Sequence, residues 1–131
     1  MFRLAIILIV FGLYTEHAIG GSFVIYNNLK RGNLMKIHCK SGDNSMGYHV
    51  RRPGRFYLVK FSDHILDKTL YWCTLWQGPD FKHKQVIVAY DGQMLPHKDN
   101  WVRWAAKESG IYQSVDGAEP FRFKYNWDDK L

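Results

Sequence analysis

From Phe23 onward, apolar and polar residues alternate with a period of two. The tail is the clearest stretch: Phe121, Phe123, Tyr125 and Trp127 alternate with Arg122, Lys124, Asn126 and Asp128. As a strand, this places four aromatic rings on one face; as a helix, it scatters them around the axis. Met35, Ile37 and Cys39 make a second apolar face, opposite Leu34, Lys36 and His38. Tyr57, Val59 and Phe61 make a third, Tyr71, Cys73 and Leu75 a fourth, and Val86, Val88 and Tyr90 a fifth. Turn-forming clusters separate the runs, among them Lys30-Arg31-Gly32-Asn33, Ser41-Gly42-Asp43-Asn44, Arg52-Pro53-Gly54, Gln77-Gly78-Pro79-Asp80 and Asp116-Gly117. No helical stripe competes, and Trp101 to Lys107 reads as a strand because its rings and Val102 suit a pleated surface. The pattern predicts an all-β fold, an antiparallel sandwich of about seven or eight short strands. Its longest loop runs from Asp91 to Asn100.

The first residues follow another rule. Arg3 precedes an apolar run, Leu4 to Leu13, and Ala18-Ile19-Gly20 supplies small residues for a signal peptidase. The run is too short for a membrane span, which needs about 20 residues. Residues 1–20 are therefore expected to be a cleaved secretory leader, leaving residues 21–131 as one domain. No second apolar segment follows, so no membrane span is expected.

Charge narrows the partners. The chain has 131 residues and a formal charge of +6, and removing the leader's one Arg and one Glu leaves that balance unchanged. A basic surface suits an acidic partner such as a receptor loop, a glycan or a membrane. The charge is spread without a basic block, so no nucleic-acid partner is expected. Aromatic residues make up 16% of the chain, which suits a thin two-sheet core. Core filling is the expectation for most of Trp72, Trp76, Trp101, Trp104 and Trp127. The alternative is a sugar-stacking platform, which needs two or three of them exposed together.

Cys39 and Cys73 are the only cysteines. Export to an oxidising compartment favours one internal bridge over two buried thiols. A catalytic assignment lacks a motif: there is neither Gly-x-Ser-x-Gly nor His-Glu-x-x-His, and the cysteines and histidines have no zinc-site spacing. His38, His49, His64, His83 and His97 are scattered, and Asp128-Asp129 reads as a surface tail. The chain is expected not to be an enzyme and to need no cofactor or metal. Arg51, Arg52 and Arg55 bracket Pro53-Gly54, a tight turn that could grip an acidic group.

These residues together resemble a known family. Ile25-Tyr26-Asn27-Asn28-Leu29, then His38-Cys39-Lys40-Ser41, then Gly47-Tyr48-His49 are similar to the opening of the plant self-incompatibility S-protein homologues. Thr69-Leu70-Tyr71-Trp72-Cys73, Gly110-Ile111-Tyr112 and the aromatic segment from Phe123 to Trp127 continue that likeness in order. One feature departs: the family commonly carries a second cysteine pair before the Trp that precedes Gly-Ile-Tyr, whereas Lys98 to Trp104 contains no cysteine. The resemblance implies a secreted plant β-sandwich with an intact Cys39–Cys73 bridge. In poppy, family members act as stigma ligands that reject self pollen through a pollen receptor. By that resemblance the chain is expected to be an extracellular, monomeric ligand of a plant cell-surface receptor. The alternatives are a basic glycan- or membrane-binding defence protein and a ribonuclease-like hydrolase. The residues expected to contact a receptor are Asp91, Gln93, His97, Lys98 and Asp99 in the longest loop, then Arg51, Arg52 and Arg55.

Overall fold

The computed structural model describes residues 20–62, 69–93 and 101–130. They form nine strands: β1 (Gly20–Asn27), β2 (Met35–Ser41), β3 (Asn44–Arg51), β4 (Phe56–Ser62), β5 (Leu70–Gln77), β6 (His83–Asp91), β7 (Trp101–Lys107), β8 (Gly110–Val115) and β9 (Arg122–Tyr125). One sheet has the order β4-β1-β7-β8-β9 and the other β3-β2-β5-β6. The two sheets make the expected all-β sandwich. One pairing is parallel, β1 with β7, where Phe23 meets Val102 and Ile25 meets Trp104. Of the expected leader, residues 1–19 lie outside the described residues, and Gly20 already pairs with Ser62 in β1.

Alternation does its work where the register is regular. Met35, Ile37 and Cys39 of β2 are fully buried against Phe23 and Ile25 of β1 and Tyr57 and Val59 of β4. Phe61, Tyr71, Tyr90 and Phe23 form a ring cluster, with Phe61 and Tyr90 edge to face at 4.7 Å. Gly21 is wedged there: a Cβ would sit 2.7 Å from the Tyr90 hydroxyl, so no larger residue fits without displacement. Cys39 and Cys73 pair directly across β2 and β5 and are bonded. The bridge thus staples one sheet internally, and the two sheets are held together by the apolar core.

Two expected faces are corrected, both by a β-bulge. In β6 the register slips so that Tyr71 faces Tyr90 while Trp72 faces Val88. The extra residue, Ala89, lets Tyr90 turn inward, while Val86 and Val88 face out and Gln85 and Ile87 are buried. The Ala89 carbonyl accepts the indole N–H of buried Trp104 from the opposite sheet at 3.0 Å. In β9 a second bulge sets Tyr112 opposite Phe123 but Ile111 opposite Tyr125. Tyr125 then packs on the core while Phe123 is 49% exposed. The strand ends at Tyr125, and Trp127 lies beyond it, half-buried, donating to the Lys107 carbonyl at 2.7 Å. The tryptophans are corrected too: Trp104 is core, Trp101 is exposed, and Trp72 and Trp76 are half-exposed on the outside of β5.

The tail caps the edge of β6. The Asp128 amide donates to the Lys84 carbonyl, its carboxylate accepts from the Lys84 amide and the His83 ring, and the Asp129 amide donates to the buried Gln85 side chain. Those contacts shield an edge that would otherwise offer free backbone groups to another strand. They also hold the Asp128 carboxyl below its ordinary range, chiefly through the His83 hydrogen bond.

The Cys39–Cys73 bridge spans a sequence separation of 34. Cys73→Ser is expected to cost about 4 kcal/mol, by restoring the entropy of that loop to the unfolded chain. Chemical denaturation of the oxidised protein and the variant measures it, and equal midpoints would show that the bridge contributes nothing.

Candidate functional site

Four connections meet at one end of the sandwich. They are the crossovers 28–34 and 52–55, which carry the chain between the sheets, and the hairpin turns 78–82 and 108–109. Asn27, the last residue of β1, organises them. Its side chain is fully buried, and its Nδ2 donates to the Asn33 carbonyl at 3.0 Å and the Arg51 carbonyl at 2.9 Å. Its Oδ1 accepts the Leu29 amide at 2.9 Å. Its backbone adds two bonds to the second crossover, from the Gly54 amide and to the Arg55 carbonyl. Gly54 turns with a φ of 84°, which favours glycine there. The Gly78 amide donates to the Leu34 carbonyl, the Asn28 amide to Ala106, and the Lys30 amide to the Glu108 carboxylate.

This end is basic. Arg52 and Arg55 are exposed, as are Lys30, Arg31 and Lys107. Lys30, Arg31, Lys107 and His83 line a cavity of about 650 Å³ together with Pro79 and Glu108. Arg51 is different. Its Nε donates to the Phe56 carbonyl at 2.8 Å and its Nη1 to the Val50 carbonyl at 3.0 Å, while the guanidinium lies over the Tyr57 ring. It secures the turn, whereas Arg52 and Arg55 face solvent. Burial pushes the Tyr57 phenol above its ordinary pKa; the Arg51 charge opposes that rise and Tyr71 adds to it.

The other expected contact region lies at the opposite end. β6 runs away from the basic end and closes with Asp91, whose carboxylate accepts the Gln93 amide at 3.0 Å. The Gly92 amide donates to Thr69 across the same end. Gln93 is exposed, whereas His97, Lys98 and Asp99 lie outside the described residues. The arginine turn and the Asp91 loop are therefore two separate surfaces. Sequence spacing gives no hint of this, because it follows from strand direction.

The described histidines each have their own partner. His38 bonds Ser45 Oγ and stacks on Tyr48, His49 bonds the Met46 carbonyl and stacks on Tyr57, and His83 pairs with Asp128 at 2.6 Å. Among the described residues no group of three or more His, Cys, Asp or Glu side chains is placed to hold a metal. No helix there is long and apolar enough to cross a membrane.

The geometry defines a disulfide-stapled β-sandwich with a basic loop end hydrogen-bonded through Asn27. Residues 22–127 match the family model described as plant self-incompatibility protein S1. The chain belongs to that family. It is 37% identical to S-protein homolog 9 of Arabidopsis thaliana, covering 97% of this chain and 99% of that one. It is 40% identical to S-protein homolog 11 of the same plant, over 81% of this chain and 76% of the relative. A solved structure of self-incompatibility protein homologues, described as a widespread family of small, highly stable, secreted plant proteins, superposes with a TM-score of 0.69. It shares 22% identity and covers 84% of this chain and 96% of its own. The chain is thus a member of a secreted plant family, and none of these relatives carries an enzyme's name.

Two expectations follow. Asn27→Ala removes one buried side chain and leaves three backbone groups unpaired, so a loss of about 3 kcal/mol is expected in chemical denaturation. A loss below about 1 kcal/mol would mean that backbone bonds alone hold this end. Tyr57 has a raised folded pKa, so the unfolded chain loses its phenol proton first as pH rises. Stability linked to it is present below pH of about 10 and lost above. Melting temperatures across that range should fall more steeply for the parent protein than for Tyr57→Phe.

Proposed function

We propose that this protein is exported, with residues 1–20 removed, and acts as a monomeric, non-catalytic recognition ligand. It docks the basic end of its sandwich on an acidic loop of a plant cell-surface receptor. The observation that carries this reading is the placement of Arg52, Arg55, Lys30 and Arg31 on two crossovers tied together through Asn27. Cations on a rigid frame bind an acidic partner with little ordering cost and steer its approach. Of the carboxylates near this end, Asp80, Glu108 and Asp128 each accept a backbone amide and Asp129 accepts the Asn126 side chain. Family membership supports the class of activity, because the family is named for self-incompatibility. Asp91 and Gln93 offer a second contact at the far end, and His97, Lys98 and Asp99 follow them in the chain. A role in pollen rejection is the most specific form of the proposal.

The test is binding of labelled, oxidised protein to intact pollen and to other plant cells, at physiological and high salt. Saturable binding confined to one cell type is expected. The double variant Arg52→Glu/Arg55→Glu should weaken it by about tenfold or more. Weak binding to every cell, abolished by salt, would overturn the receptor reading. Binding unchanged in the double variant but lost on replacing residues 91–100 would move the contact to that segment.

A further inference from the structure

Directly paired residues of antiparallel strands share a face. Three such rows cross β3, β2, β5 and β6 on the outside of the second sheet, twelve positions in all. Lys36, Lys40 and Lys84 supply charge, Tyr48, Trp72 and Trp76 supply rings, and no position is Asp or Glu. The nearby carboxylates Asp43, Asp80 and Asp128 sit in flanking turns. Tyr48 is 66% exposed.

The rings are held in place. The Lys36 ammonium lies 4.5 Å from the Trp76 ring, 5.1 Å from Phe81 and 5.7 Å from Tyr48. His38 stacks on Tyr48 at 4.5 Å. Trp72 walls a groove of about 520 Å³ with His38, Lys40, Thr74 and Val86. Trp72 and Trp76 stand four residues apart on one strand face, roughly 13 Å at the usual rise. The outer face of the other sheet differs: its Arg103 is paired with Glu119 at 2.7 Å.

We propose that this outer face binds a polyuronate, an acidic polysaccharide. Its sugar rings stack on Trp72 and Trp76, and its carboxylates meet Lys40 and Lys84. Indole rings on one outer face, with Thr74 and His38 in the row between them as hydrogen-bonding groups, fit a sugar with apolar faces and polar edges. A lipid surface would instead call for apolar side chains along an amphipathic helix or an anchor. Charge complementarity selects an acidic chain over a neutral one. The site lies on the flat of the sandwich and does not rest on the receptor reading; it would retain an exported ligand in an acidic extracellular matrix.

Polygalacturonate is the probe, with the same polymer methyl-esterified, a neutral glucan and phosphatidylserine vesicles beside it. Co-sedimentation and tryptophan fluorescence read the binding. Saturable, salt-weakened binding to polygalacturonate is expected, with the esterified polymer about tenfold weaker. Trp72→Ala and Lys40→Glu should each weaken it about tenfold. Lys40 is exposed, so its variant keeps the test valid if Trp72→Ala misfolds. No polymer binding, binding unchanged by Lys40→Glu, equal binding of the esterified polymer, or tighter binding to vesicles would overturn the proposal. So would a loss confined to Arg52→Glu/Arg55→Glu, which would place the contact at the basic end. Cell-type-restricted binding by the Lys40→Glu protein reports on the receptor separately.

Discussion

One buried carboxamide joins the parts of this molecule that the strands leave separate. Asn27 ends β1, a central strand paired antiparallel to β4 and parallel to β7. Its side chain bonds the Asn33 carbonyl of the first crossover and the carbonyl of Arg51, the last residue of β3, from which the second crossover leaves. A buried amide without such partners costs several kcal/mol, so the crossovers and the strand end specify one another. An apolar residue of similar size could fill the space but would leave those carbonyls dry and unpaired.

Around that constraint the sandwich divides its tasks by location. The interior is apolar and closed by Trp104, whose indole reaches across to the bulged carbonyl of β6. The ends carry the polar turns, and the strand directions decide which turns become neighbours. The flats carry what alternation leaves over, and on the second sheet that remainder includes three lysines and three aromatic residues and no carboxylate. The disulfide lies inside one sheet, so it does not fix how the two sheets stack. The basic end and the ringed flat are therefore different surfaces of one frame, suited to different acidic partners.

Much of this is legible in the chain. Strict alternation in β2, β4 and β5 gives their inward faces, because a pleated strand has only two sides. The same alternation already put Trp72 and Trp76 opposite Cys73, and hence outward. Their size suggested core, but parity was the stronger argument. Where alternation misled, in β6 and β9, a bulge had added one residue and exchanged the faces beyond it. Val86 and Val88 look like core in sequence because an edge strand carrying Val on one side and Ile on the other has no polar face to mark. Arg51 looked like its neighbours, and only the nearby carbonyls of Val50 and Phe56 show that its guanidinium secures the turn.

The sequence by itself determined the fold class, most of the strands, the cysteine pair available for a bridge and the residues able to carry charge to a partner. Those follow from local chemistry, from period, turn residues and side-chain type. Only the tertiary structure decided the parallel pairing of β1 with β7, the positions of the bulges, the partners of Asn27 and the separation of the arginine turn from the Asp91 loop. Each of these depends on which distant segments lie side by side, and burial of the shared core sets that arrangement.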